Sequence, residues 1–568
     1  MKNHYIKDLV LLMCFIGIIY GMFLGARPLV NPDEGRYSEI PREILVTHDY
    51  ITPHLNNIKY FEKPPLFYWL QAASIKTFGI KEWSLRLVTM LFGIMGALLT
   101  YLIARKIFNR SVGVMSALIL TTTQLYYVMA HTVTLDMALT FFVTATIYTF
   151  LLSTRQEIAA TKRLYIYLAV IFAALAVLTK GLIGIILPGA SIAIWLFIFN
   201  KWRFLKNIYL PTAVLLFLTI VLPWHILAQI KNPEFLKFYF IDQQFLRYST
   251  NIAARSHSNF IYIIVLLIGY LPWSFVLLQT LYFYLKDKAK NLIKYKDSVL
   301  LIIWTIFTIL FFSFSKSKLP PYILPAFIPL SILTANYLYV AHKKNARAIG
   351  SGLISSLIVF STGFVAWIIF AKTIAPTLAK TILFSSKQVM LVSIIFVLII
   401  TGISVALILY RREKFKLVFI TIIATFTLNL IPLNYAAKTF TLTSTKNFAA
   451  TIKPHLKPDS VVISYAAYYQ DLPVYLQKYI KIVRWRGELD FGAKHQNDYQ
   501  KYLINNNTFA RYWQNGKIDV YMIIAKNKYN NLVNEYKNLK FYILQESDLL
   551  LLLANHGAKA PQQAVLKS

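Results

Sequence analysis

Two adjacent carboxylates, Asp33 and Glu34, stand in the segment RPLVNPDEGRYSEIPRE, directly after the first apolar run. Asn31-Pro32 breaks the helix ahead of them, and Gly35 leaves the backbone free to turn. A carboxylate pair on such a turn suits general-base or electrostatic work. It equally suits a helix start, because Asp after Pro with a helical stretch to Val46 is a common N-terminal pattern. Asp136, in HTVTLDMALTFF, is a third acid of interest, with a helix cap as its ordinary alternative and Thr134 competing for that position. These placements carry weight because acids are scarce: 24 Asp and Glu stand against 59 Lys and Arg in 568 residues, a net charge of +35. Residues 27–84 alone hold seven of the 24, namely Asp33, Glu34, Glu39, Glu43, Asp49, Glu62 and Glu82. Glu39, Glu43, Asp49 and Glu82 read mainly as solvated surface charges.

The elements that position these acids are membrane helices. The chain is 57% apolar and 15% charged, with a mean hydropathy of +0.54, whereas a soluble chain is about 45–50% apolar and about 25% charged. A bilayer core needs roughly 20 apolar residues in a helix. Such runs lie near 9–26, 85–104, 112–130, 134–153, 164–179, 181–199, 208–229, 260–284, 298–315, 322–341, 349–371, 387–410 and 417–435. The spacing therefore predicts about thirteen helices, the fifth and sixth nearly fused at Lys180-Gly181. With the N-terminus inside, the inner loops would be 105–110, 154–163, 200–206, 286–296, 342–347 and 411–416, and every one is basic, as the positive-inside rule requires. Basic loops between apolar spans account for the charge excess, so no nucleic-acid partner is expected.

The outer face then carries two long segments, 27–84 and about 230–259, and a tail of ordinary soluble composition over 436–568. Strand-like runs at 460–465, 520–525 and 541–546 read as a small α/β domain. The first run has no convincing cleavage site and reads as an uncleaved helix. The single cysteine, Cys14, permits neither an internal disulfide nor a cysteine zinc site. Lys180, Lys316 and Lys318 fall at outer turns, against the usual charge bias, which suits anionic lipid headgroups on that face.

Together these residues resemble the C-type glycosyltransferases, and in particular the ArnT-like 4-amino-4-deoxy-L-arabinose lipid A transferases. The resemblance runs in order through NPDEGRYSEIPRE, FEKPPLFYWL (61–70), TLDMALTFF (134–142), LTKGLIG (178–184) and SKLPPYILPAF (317–327). The acid pair alone is shared with protein mannosyltransferases and oligosaccharyltransferase relatives. The combination with FEKPP and KLPPY is more specific. The resemblance implies a polytopic α-helical C-type fold of about thirteen spans over 1–435, with an outer α/β domain over 436–568. It implies a bacterial inner-membrane enzyme, expected as a monomer, with the site and tail facing the periplasm.

The implied reaction moves an aminosugar from undecaprenyl phosphate to a lipid A phosphate, with inversion. The sugar would be aminoarabinose or another such as galactosamine. A phosphate leaving group needs cations, so Lys63 is expected on the donor phosphate, with Arg247 (FLRYST) second. Asp33, Glu34 and Asp136 are the catalytic acids expected. Asp33 could position the acceptor, stabilise charge at the anomeric carbon, or bind the donor's amino group. Arg36, Tyr37, Glu62, Tyr322 and Lys318 are expected to line the substrate cavity. A related metal site would pair Glu62 with a histidine three residues before Arg247, but that position is Gln244, and His257 lies off the pattern. No metal and no cofactor are therefore expected. The competing readings are a protein O-glycosyltransferase of the same fold and a lipid-linked sugar transporter, although the paired halves usual in transporters are not evident.

Overall fold

Backbone groups inside a bilayer can pair only within their own segment, and each apolar run is accordingly helical. The structure, a computed structural model, describes residues 2–201, 204, 209–250, 258–288, 295–343, 348–373, 386–439 and 443–555. Among the described residues, ten helices are long and apolar enough to cross a membrane, from His4–Gly21 to Phe415–Lys438. Two bent pairs bring the number to twelve: Arg110–Thr121 with Gln124–Ala130, at 68°, and Ile261–Gly269 with Trp273–Lys286, at 112°. The remaining run, 181–199, is the 16-residue helix Ile183–Ile198, shorter than the other spans. The count of thirteen single spans is therefore not reproduced. Lys180-Gly181 does separate two helices. Gly181 has φ +86°, and Ile183–Ile198 packs so closely on Ala159–Lys180 that a Cβ at Gly184 would lie 2.6 Å from the Ala176 carbonyl oxygen.

The segment between the first two membrane-length helices is built rather than loose. It contains a helix, Asp33–Thr47, an antiparallel hairpin of β1 (His54–Leu55) and β2 (Ile58–Lys59), and a second helix, Leu66–Phe78. The Asp33–Thr47 helix is buried from Glu34 to Ile44, which corrects the reading of Glu39 and Glu43 as surface charges. Glu39 accepts from the Arg42 guanidinium at 2.5 and 2.7 Å. Glu43 accepts from the backbone N–H groups of Asn56 and Asn57 at 2.5 and 2.8 Å, so it ties the helix to the hairpin turn. Asp49 pairs with Lys231 at 2.6 Å and Glu82 with Lys446. Glu43, Asp49 and Glu82 hold elements together, whereas Glu39 pairs within its own helix.

What covers this segment is the C-terminal unit. Its six-stranded sheet contains β3 (Val461–Tyr465), β4 (Lys481–Val483), β5 (Leu503–Ile504), β6 (Val520–Ala525), β7 (Tyr542–Glu546) and β8 (Leu550–Ala554). Their order is β5-β4-β3-β6-β8-β7. The first four run parallel, and β8 and β7 close one edge antiparallel. The three runs read from the sequence are β3, β6 and β7. The contacts to the 27–84 segment are polar and directional. The Asn56 side chain exchanges two 2.9 Å bonds with the Ile480 backbone. Buried Asp471 accepts from Asn31 at 2.6 Å and returns its own N–H to the Asn31 side chain at 3.0 Å. Approach is close at Gly35, where a Cβ would meet the Asp471 nitrogen at 2.5 Å and the Gln470 carbonyl carbon at 2.6 Å, and at Gly492, where it would meet the Lys59 carbonyl oxygen at 2.4 Å.

Candidate active site

Pro32 sets the start of the Asp33–Thr47 helix, and no side chain caps it. Asp33, the first helical residue, turns its carboxylate to Arg36 one turn on instead of to the orphan N–H groups of the helix. Arg36 is thereby shared: it also binds Glu488 of the C-terminal unit and donates to the Tyr60 hydroxyl at 3.2 Å. The two ends of this chain differ in exposure. Arg36 is 4% exposed and Asp33 is 42% exposed, so Asp33 keeps an oxygen available to a ligand.

Glu34 lies the other way. Its two oxygens accept from Arg86 at 2.9 Å each, Arg27 at 2.5 Å, and the N–H groups of Val30 and Val133 at 3.0 and 3.1 Å. Burial would raise this carboxyl, but Arg86 and Arg27 hold it down to about 2. It is fully buried, charged and saturated, so it cannot take a proton from a substrate or face one. The expectation of a catalytic Glu34 is corrected to a clamp. Through Val133 that clamp fixes the turn leading into Asp136.

Asp136 opens the helix Asp136–Ser153, and its carboxylate pairs with Lys180. The Lys180 ammonium also lies 4.5 Å from the centre of the Tyr322 ring. Three elements thus meet: the start of one helix, the end of Ala159–Lys180, and the 3-10 turn Pro320–Ile323. Beside them Pro64 and Pro65 stiffen the chain after Lys63. The Lys63 ammonium donates to the Glu62 carbonyl at 2.9 Å and has no carboxylate partner among the described residues. Burial lowers its affinity for a proton, and the Arg247 charge lowers it further. Arg247 is held by the Glu62 carboxylate at 2.9 Å and by the Gln243 side-chain oxygen at 3.0 Å. Burial would raise the Glu62 carboxyl, but Arg247, Arg36 and Lys63 keep it at about 2. A partly buried ammonium with no ion pair within 4 Å among the described residues, next to a guanidinium, is a place for an anion.

Two cavities meet there. One, of about 280 Å³, has Lys63, Lys180, Arg247 and Tyr322 at its polar end and Leu182, Ile183, Ile186 and Phe312 along its apolar wall. The other, of about 740 Å³, lies under the C-terminal unit, where Arg36, Glu62, Asp242, Glu488 and Phe491 line it. Arg247 and Gln243 line both. The smaller cavity suits a lipid with an anionic head, and the larger a polar ligand.

Of the residues expected to line a cavity, Arg36, Glu62 and Tyr322 do so. Tyr37 packs behind them, stacked on Tyr68 at 6.0 Å with the Arg36 guanidinium 5.3 Å from its ring centre. Lys318 is buried and lines neither cavity. Gln244 lines the smaller one. His257 lies outside the described residues. No cluster of three or more His, Cys, Asp or Glu that could hold a metal occurs among the described residues. Sequence reasoning misses Glu488, Tyr60 and Asp242. Glu488 sits in a unit with no visible catalytic motif, and only the docking of that unit brings it to Arg36.

The dolichyl-phosphate-mannose-protein mannosyltransferase family matches residues 7–239, and the aminoarabinose transferase C-terminal domain matches residues 448–551. The chain is 29% identical over 373 residues to an undecaprenyl phosphate-alpha-4-amino-4-deoxy-L-arabinose arabinosyl transferase of Erwinia tasmaniensis, with 66% of each protein aligned. It is 31% identical over 343 residues to the protein of the same name from Edwardsiella ictaluri, with 60% of this chain and 61% of that protein aligned. The chain thus spans just under two thirds of these curated relatives. The crystal structure of ArnT from Cupriavidus metallidurans bound to undecaprenyl phosphate superposes with a TM-score of 0.85 at 28% identity, covering 98% of this chain and 99% of that one. Its apo form gives 0.82 over the same extent.

Proposed function

The chain belongs to the ArnT-like family of C-type glycosyltransferases, and from that premise we propose that it moves an aminosugar from undecaprenyl phosphate to a phosphate of lipid A. The observation that carries the reading is the Lys63 ammonium, without an ion pair among the described residues, beside Arg247 in a cavity with apolar lining. That arrangement fits a polyprenyl phosphate: the isoprenoid lies along Leu182, Ile183 and Ile186, and the phosphate meets the cations. In this reading the smaller cavity takes the donor and the larger one the acceptor.

The chemistry follows from the charges. The acceptor phosphate is already anionic and attacks the anomeric carbon as the bond from that carbon to the donor phosphate oxygen breaks. Charge leaves on the donor phosphate, where Lys63, Arg247 and Lys180 stabilise it. Positive charge builds on the sugar, and Asp33 is the exposed carboxylate available to stabilise it. Asp136 acts through Lys180 by fixing its ammonium. Glu34 positions the Asp33–Thr47 helix. A single displacement inverts the anomeric carbon. The membrane reading puts the site and the C-terminal unit on the periplasmic face of the bacterial inner membrane, and the protein acts as a monomer.

Mass spectrometry of lipid A from cells with and without this protein tests the reading. The expected result is an aminosugar mass increment that depends on the protein. Unchanged lipid A, with a periplasmic protein losing a glycan instead, overturns it in favour of protein glycosylation.

A further inference from the structure

The loop after β4 has two faces. Gly487 and Glu488 line the large cavity beside Arg36. The three residues before them, Arg484, Trp485 and Arg486, line a separate cleft of about 640 Å³ on the other side, with Tyr499, Asn505 and Asn506. The turn between the faces is tight. Gly487 has φ +45°, and the Trp485 ring occupies the place a Cβ there would take. The cleft sits beyond the carboxyl ends of the parallel strands β4 and β5.

Its composition is specific. Two guanidinium groups, two aromatic rings and three side-chain amides (Gln500, Asn505 and Asn506) line it together with Ile482, Leu503 and Ile504. The Arg486 guanidinium lies 5.7 Å from the Tyr499 ring centre. Its nearest carboxylate, Asp490, is 3.9 Å away. Arg484 donates to Asn506 at 3.0 Å and through both terminal nitrogens to the Glu535 carboxylate, with both charged side chains more than a third exposed. Solvent screens that pair, and Arg486, with its carboxylate neighbour at 3.9 Å, keeps its guanidinium open to an incoming anion. Planar guanidinium groups bind phosphate or carboxylate in bidentate fashion. Tyr and Trp faces with amides between them suit the faces and hydroxyls of a sugar.

We propose that this cleft is a second ligand site, which takes an anionic saccharide: the part of the acceptor's headgroup beyond the reacting phosphate. The inference rests on the proposed activity for the identity of the acceptor, and on the cleft itself for the chemistry. The distance permits it. Arg484 and Glu488 are four residues apart, at most about 14 Å of chain, so one headgroup can span from cleft to cavity. Occupancy of the cleft would also be felt in the site, because the same five residues carry Glu488 to Arg36. The cleft would thus select acceptors by headgroup, apart from the chemistry at the phosphate.

The test uses the full chain in detergent and the double variant Arg484→Gln/Arg486→Gln. Both side chains are exposed, and an unchanged melting temperature shows that the fold is retained. In the first arm, fluorescence anisotropy follows a labelled phosphorylated maltotetraose, with the unphosphorylated sugar as control. The wild type is expected to bind the phosphorylated sugar and the variant to bind it about tenfold more weakly or worse, since charge-assisted bonds are lost. Equal binding by both proteins, or equal binding of the neutral sugar, overturns the site. In the second arm, kinetics compare an acceptor bearing an extended phosphorylated headgroup with one bearing only the reacting phosphate. The variant is expected to raise KM about tenfold for the first, with kcat unchanged, and to leave the second unaltered. Weaker anisotropy with an unchanged KM assigns the cleft to a soluble saccharide and overturns the acceptor assignment. Absence of transfer to either acceptor by the wild type overturns the proposed activity, while the anisotropy arm still decides the site.

Discussion

Arg36 and Glu488 form an ion pair across 452 residues of sequence, with side chains only 4% and 13% exposed. On its other side the same guanidinium holds Asp33. A residue of the C-terminal unit therefore sets, through Arg36, the position of the exposed Asp33 carboxylate. The sheet unit is part of the site's construction.

Glu488→Ala leaves Arg36 buried with one carboxylate fewer. Breaking a buried pair from one side costs about 3–5 kcal/mol. The remaining Asp33 partner brings the expected loss to about 2 kcal/mol. A double-mutant cycle with Arg36→Met, read by denaturant unfolding, should give a coupling above about 1 kcal/mol. Additive single effects would show the pair to be idle.

Lys63→Ala should lower kcat/KM about 100-fold or more, because the leaving phosphate loses a preorganised cation. Lys63→Arg should restore much of it. Burial first, and Arg247 second, lower the proton affinity of Lys63. The ammonium is present below its folded pKa and is lost as pH rises through it. The alkaline limb of kcat/KM should thus fall below the ordinary lysine value of about 10.4 and move upward in Lys63→Arg. A limb unmoved by that change would detach Lys63 from the donor phosphate.

Asp136→Asn should weaken donor use through Lys180, whose ammonium it holds. The expected effect is about tenfold on kcat/KM with the acceptor KM unchanged. In Lys180→Ala the Asp136 change should add nothing further. A full additive loss in the double variant would mean that Asp136 touches substrate directly.

Gly35→Ala places a methyl group where the Asp471 nitrogen stands 2.5 Å away. Overpacking of this kind costs about 1–3 kcal/mol, and here it falls on the contact between two parts of the chain. Limited proteolysis should cut the C-terminal unit faster while the helical part stays intact. An unchanged digestion pattern would show that the interface gives way without cost.

How far these residues are legible in the sequence depends on how local their roles are. Asp33, Lys63, Asp136 and Arg247 are visible because unusual charges stand out in an apolar chain. Glu34 misleads for the same reason: as a sequence letter it equals Asp33. Only the approach of Arg86 and Arg27 (one in the next membrane-length helix, the other just ahead of the acid pair) distinguishes a clamp from a free acid. Glu39 and Glu43 look like surface charges in the sequence because burial of a whole outer helix comes from the distant sheet that covers it. Glu488 carries no local signal at all. The helices themselves are plain from hydropathy, except where bends at Thr122 and Pro272 divide a run and where Ile183–Ile198 falls short of a full span.

Arg247 and Gln243 line both cavities, which bears on the order of events in the proposed reaction. A ligand in one cavity reaches these residues without passing through the other cavity. Neither substrate must depart before its counterpart arrives, and the sugar has no need to be parked on the protein between them. In the proposed reaction both can be resident at once, so a ternary complex is the expected kinetic state and ping-pong turnover is not. The same guanidinium, facing both compartments, would sense the departing phosphate from one side and the arriving one from the other.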